Sequence, residues 1–394
     1  MVPETEDDMT WMERRDPALA ARTEMALEAA IRERRIVGGV LRVARDGALV
    51  ALHAVGLADR ESGRPMTENT PFRLASVTKP IVAVTALDLI NRGVLSLDDA
   101  VAKWLPDFTP TFEGAPVTIT IRHLLTHTSG LSYGFLEQPD GPYHRAKVSD
   151  GLDAPGLSLE ENLGRIVTVP LAFRPGGAFL YSLAFDVLGA IIERATNNSL
   201  PEVVARVVTK PLAMNATGFR PQDPDQLATP YADGKPEPVR MVDGIYVPFA
   251  GAGATFAPSR ALDPRSYPSG GTGMIGTAED FHTFLEALRT RDRFAPQPLV
   301  DEMFNDQIAP LASPILGDGW GFTYGAAVLR DPKSAGMPMN AGTIRWGGAF
   351  GHYWWIDPSA RLSAVLLTNT AFEGMAGKIT VDVVNAVYGT DTAT

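Results

Sequence analysis

The sequence predicts an α+β fold: a central antiparallel sheet built from both chain ends and flanked by helices, with a mainly helical lobe inserted between them. Three observations carry this. Strand-like segments occur at the two ends and fade in the middle. The middle is rich in helical periodicity and loop signals. The 394 residues, 45% hydrophobic with ordinary charge content, suit one large core or two lobes. We place the sheet domain at 1–83 and 179–394, and the helical lobe at 84–178.

Residues 18–35 read as a helix with Ala20, Leu27, Ala30 and Ile31 on one side. Residues 37–45 and 49–55 read as two strands around Asp46-Gly47, a strong hairpin signal. Next comes F-R-L-A-S-V-T-K-P-I-V-A-V-T-A-L-D-L-I-N-R-G at 72–93, a helix with almost no polar face, so it should be buried between layers. Ser76 is placed to cap its first turn, Pro80 falls in that turn, and Gly93 follows its end. Helices are expected at 97–105, 121–125, 159–167 and 185–195. From 218 to 273 Pro, Gly and Asp are frequent and long surface loops are expected. The tail returns to a helix at 278–288, strands at 343–346, 353–356 and 362–369, and a last helix at 378–388.

Composition removes several classes of function. A net charge of -11 and a pI of about 5.1 argue against nucleic acid and anionic membrane surfaces. The absence of cysteine removes disulfides, thiolate catalysis and cysteine metal sites. The N-terminus is acidic, without a basic and apolar leader, and no run of about 18 apolar residues could span a bilayer, so a cytoplasmic protein is expected. No cofactor is called for. His123 and His127 are four apart but lack an H-E-x-x-H pattern and a third ligand, so no metal is expected there. They are expected instead to make hydrogen bonds that fix the T-S-G turn.

On a helix, Ser76 and Lys79 share a face at its buried end. A serine hydroxyl is a weak nucleophile until a neighbour takes its proton, and burial lowers a lysine enough to do so. The pair needs support elsewhere, and four stretches line up: S-V-T-K at 76–79, H-L-L-T-H-T-S-G-L at 123–131, Y-S-L at 181–183 and W-G-G at 346–348. S-G-G-T-G-M at 269–274 and G-W-G-F-T-Y-G at 319–325 fit the same order. Together they resemble the serine β-lactamase and penicillin-binding-protein superfamily, and within it the class C β-lactamase-like esterases called family VIII carboxylesterases.

The resemblance implies that Ser76 is acylated, that Lys79 is its hydrogen-bonded partner, and that Tyr181 matches the tyrosine of the family's Y-x-N. A phenol against an ammonium has its phenolate favoured, so Tyr181 and Lys79 could exchange one proton, and which deprotonates Ser76 stays open. It also implies an oxyanion hole from the backbone N–H groups of Ser76 and Ala349, with Gly347 and Gly348 letting the strand edge approach a substrate. Tyr133, Phe135, Trp346 and His352 are candidate pocket residues.

Two departures matter. Trp346-Gly347-Gly348 stands where a β-lactamase would have Lys-Thr-Gly, and Leu183 stands where it would have Asn. The pocket loses groups that would hold a β-lactam carboxylate and amide, and better suits an uncharged acyl ester. The expected activity is hydrolysis of short- to medium-chain carboxylic esters, small molecules, through an acyl-enzyme. Acyl transfer to an alcohol, and β-lactam or D-amino-peptide hydrolysis, are the alternatives on the same site. The oligomeric state is not readable from the sequence.

Overall fold

The computed structural model describes residues 16–291 and 300–390. The acidic N-terminal stretch lies outside them. Eight strands form one antiparallel sheet: β1 (Gly38–Arg45), β2 (Ala48–Asp59), β3 (Arg64–Pro65), β4 (Trp320–Phe322), β5 (Ala327–Leu329), β6 (Ile344–Gly348), β7 (His352–Asp357) and β8 (Leu362–Thr368). Their order is β4-β5-β6-β7-β8-β1-β2-β3. The two ends of the chain therefore meet at the β8–β1 pair, where Leu41 lies opposite Leu366 and Val43 opposite Ala364. Asp46 and Gly47 both take positive φ, 56° and 81°, as a two-residue hairpin turn requires.

Six helices frame the sheet and the site: α1 (Pro17–Arg32), α2 (Thr78–Asn91), α3 (Ile121–Leu125), α4 (Ala184–Thr196), α5 (Ala278–Thr290) and α6 (Lys378–Tyr388). Every residue of β7 is buried, so this strand is covered on both faces. On one face Trp354 meets Phe281 of α5, ring centroids 5.8 Å apart. On the other, Tyr388 of α6 donates to Asp357 Oδ2 at 2.7 Å, and α6 packs against α1. Helix α2 is buried almost throughout and packs against α4, as its lack of a polar face predicts.

Two expectations change. The helix expected at 97–105 is only Val101–Trp104, because Ser96, Asp98 and Asp99 form a turn with their own side chains. The 218–273 stretch is not all surface loop: Ile245–Phe249 and Ala252–Phe256 form a hairpin through Ala250 and Gly251, both at positive φ. An Ala-Gly turn lacks the usual Asn-Gly signature, which hid it. Its Val247, Ala254 and Phe256 join Phe350, Phe372 and Ala75 in a second apolar cluster, which thus includes the residue before Ser76. Strands β4 and β5, and helices Leu200–Val204 and Ala371–Ala376, also had no clear periodic signal.

Candidate active site

Ser76 does not cap a helix. It sits in a short 3-10 turn, Ala75–Val77, and α2 begins after it at Thr78 with no side-chain cap. The preceding Ala75 has φ 46°, a left-handed conformation costly for a residue with a Cβ. The hydroxyl, freed from capping, is taken up by two other groups. Lys79 Nζ lies 3.0 Å from Ser76 Oγ, and the Tyr181 hydroxyl donates to the same oxygen at 2.7 Å. The structure thus brings the three sequence-predicted residues together.

Lys79 has no exposed surface. Burial pulls its ammonium down to about 7, with the charge of buried Asp186 acting the other way. Near neutral pH the amine is therefore available in its neutral form, able to accept the Ser76 proton. Its second hydrogen bond is to Gly271 O at 2.9 Å. Tyr181 is buried as well. Burial pushes the phenol well up, despite hydrogen bonds with Ser76 and Trp346. Lys79 Nζ lies over the tyrosine ring, 4.7 Å from its centroid, rather than at the phenol oxygen. Burial thus favours the protonated phenol, which donates to Ser76 Oγ.

Asp186 is a site neighbour that sequence reading missed. Its Oδ1 accepts from Ser269 Oγ at 2.5 Å and from Gly271 N–H at 3.3 Å, while Oδ2 is buried without a hydrogen-bond partner. One acid inside L-A-F-D-V-L-G-A-I-I was the available signal, since an unpaired buried carboxylate is costly. The S-G-G-T-G-M stretch supports both groups, since it carries the carbonyl that holds Lys79 and the hydroxyl that holds Asp186.

Trp346, on β6, donates through Nε1 to the Tyr181 hydroxyl at 3.2 Å. Tyr133 has no exposed surface and stacks on half-buried Phe135 with centroids 4.4 Å apart. It lies 5.1 Å from the Tyr181 ring, so it backs the tyrosine. A Cβ on Gly348 would sit 2.5 Å from Leu74 O. On Gly347 it would meet Met375 Cγ and His352 O, each at 2.8 Å. The two glycines thus allow close approach to the protein itself, and Gly348 lets β6 lie against the Ser76 turn. Ala349 follows at the corner of a turn closed by Gly351 N–H to Gly348 O, 2.8 Å.

His352 is corrected. It has no exposed surface and its Nε2 is bonded to Arg73 O at 2.7 Å, so it fastens β7 to the strand before Ser76 and offers no face to a substrate. His127 does fix a nearby loop: Ser182 N–H donates to its Nδ1 at 3.2 Å, and Leu180 N–H to its carbonyl at 2.9 Å. These bonds hold the Tyr181 segment. His123 instead completes a capping box with Thr120 at the start of α3. Among the described residues no group of three or more His, Asp or Glu could hold a metal.

Rival nucleophiles are poorly placed. Gly130-Leu131-Ser132-Tyr133-Gly134 has the G-x-S-x-G spacing of a hydrolase elbow. Ser132 Oγ, however, donates to Tyr133 O at 3.2 Å and has no histidine. Ser182 does approach His127 Nδ1, at 3.1 Å, but has no exposed surface.

A family model described as beta-lactamase matches residues 20–386. The chain belongs to the β-lactamase family. Within that family it is 51% identical to "Esterase EstB" of Burkholderia gladioli, over 94% of this chain and 95% of that one. It is 29% identical to "Monacolin J acid methylbutanoyltransferase" of Aspergillus terreus, over 86% and 88% of the two chains. The solved structure of "EstCE1, a hydrolase with promiscuous acyltransferase activity" superposes with a TM-score of 0.91 at 44% identity, covering 95% of this chain and 99% of that one. The β-lactamase-like fold and the resemblance to its esterase branch are therefore borne out. Among the described residues no helix is long and apolar enough to cross a membrane.

Proposed function

We propose that this chain is a carboxylesterase that cleaves short- to medium-chain esters through an acyl-enzyme on Ser76. The observation that carries the reading is the double approach to one oxygen: an amine lowered to about 7 at 3.0 Å and a protonated phenol at 2.7 Å. Lys79 takes the hydroxyl proton as Ser76 Oγ attacks the ester carbonyl. The backbone N–H groups of Ser76 and Ala349 receive the developing oxyanion. The Lys79 ammonium returns that proton to the departing alkoxide, while the Tyr181 hydroxyl supports the transfer as a hydrogen-bond donor. Water then attacks the acyl-serine with Lys79 again as base, releasing the acid and restoring the hydroxyl.

The apolar surroundings of Phe135, Trp346 and Met375 support an uncharged substrate. Ser76→Ala is expected to abolish turnover of a p-nitrophenyl ester, and brief exposure to such an ester should leave an acyl mass increment on the peptide carrying Ser76. Full activity in the variant, or an adduct on another serine, refutes the mechanism.

Acyl transfer is a second reading of the same intermediate. It is supported by similarity to EstCE1 and to the monacolin J acid transferase. Product analysis with an added alcohol such as butanol separates the two: butyl ester forms if an alcohol outcompetes water at the acyl-serine.

A further inference from the structure

Arg73, Arg220 and Arg260 line one small pocket that opens to solvent. Much of its remaining wall is apolar, with Leu152, Phe219, Met274 and Phe350. The arginines hydrogen-bond to carbonyl groups. Arg73 donates to Pro258 O at 3.2 Å and Ala228 O at 3.0 Å. Arg260 donates to Gly151 O at 2.8 Å and Tyr267 O at 3.0 Å, and its guanidinium lies 4.3 Å from the Tyr267 ring centroid. Arg220 donates to Ser266 O at 2.7 Å. Among the described residues no carboxylate is in ion-pair contact with any of the three.

Carbonyl bonds satisfy N–H groups but leave the charge uncompensated, and clustered cations beside apolar walls repel one another. Asp243 acts on Arg73, Asp263 on Arg220, and Asp153 and Asp186 on Arg260, each from beyond contact. Burial pushes Asp153 up and its neighbour Asp150 up to about 8, which thins the negative charge on this side further. In a chain of net charge -11, three arginines without an acid in contact around one cavity run against the overall balance.

We propose that this cavity is a binding site for a short-chain monocarboxylate, its carboxylate held by the arginines and its aliphatic part against Phe219 and Phe350. A guanidinium matches a carboxylate through paired N–H donors, and the apolar wall suits an anion that carries a hydrocarbon tail. The site is separate from Ser76, Lys79 and Tyr181, and stands independently of the ester chemistry. It is nevertheless close to them in sequence: Arg73 lies three residues before Ser76, on a short strand paired with Ile275, another cavity residue.

Calorimetric titration of the full chain with butyrate, butyramide and inorganic phosphate tests this. Butyrate should bind saturably at one site per chain, with butyramide at least about tenfold weaker because it cannot form charge-assisted bonds. Arg220 is exposed, so Arg220→Gln should keep the fold and weaken butyrate by about tenfold or more. Equal binding of butyrate and butyramide, or unchanged binding in Arg220→Gln, overturns the proposal. Phosphate binding more tightly than butyrate overturns the carboxylate assignment. If the variant does not fold, the comparison of ligands on the unmodified chain still decides.

Discussion

Replacing Asp186 by Asn tests whether Lys79 acts as a base tuned by its surroundings. The asparagine keeps an oxygen to accept from Ser269 Oγ and Gly271 N–H and removes only the charge. Asp186 Oδ1 and Lys79 Nζ lie 3.8 Å and 3.5 Å from the point where a Cβ on Gly271 would sit. They are therefore within about 7 Å, and at an effective dielectric of about 20 unit charges at that distance interact by about 2.4 kcal/mol. That is a factor of roughly 50 in proton affinity. Asp186 raises the Lys79 value, so its loss lowers it further below about 7. With the neutral amine as the proposed base, the acid limb of the kcat/KM profile should move down by about 1.5 pH units. A weaker base also lowers the plateau, by less than about tenfold. The assay is hydrolysis of a p-nitrophenyl ester between pH 4.5 and 8.5. A limb that stays near 7, or moves up, refutes either the charge on Asp186 or the role of Lys79.

Three further outcomes are expected. Lys79→Met should remove activity while raising stability at pH 7 by about 1–3 kcal/mol, because the folded protein holds the amine at about 7 against an ordinary 10.5. In the unmodified protein this group makes stability rise with pH between those values, since only the unfolded chain then binds the proton; thermal melts should show that slope lost in the variant. Gly348→Ala puts a Cβ 2.5 Å from Leu74 O, so calorimetry should show a loss of about 1–3 kcal/mol and assays a fall in kcat from displacement of the Ser76 turn. An unchanged variant would mean that β6 does not press on that turn. His352→Leu should cost about 1–3 kcal/mol through the lost bond to Arg73 O, with KM unchanged. A large change in KM would return His352 to the substrate pocket.

Much of the frame was legible because it rests on local signals. The Asp46-Gly47 turn, the apolar run of α2 and the heavily buried segments of β7 and β8 each announce their element through turn chemistry or hydrophobic patterning. The hairpin through Ala250-Gly251 and the short β4 and β5 were not, since none carries a strong turn signature or enough length for a period to show. The trio Ser76, Lys79 and Tyr181 was also legible, through spacing and resemblance. Ala75 at positive φ, the Asp186–Ser269–Gly271 support and the burial of His352 were not.

The amino-acid order alone determined that a hydroxyl and an amine would ride one apolar helix end, and that strands from the two termini would have to find each other. Only the tertiary structure decided the protonation logic. A lysine's affinity for its proton depends on how much water is excluded and which charges remain nearby, and those are set by residues about a hundred or more positions away. The same reason separates the two apparent helpers: packing leaves Tyr181 facing the reactive oxygen and turns His352 into a strut.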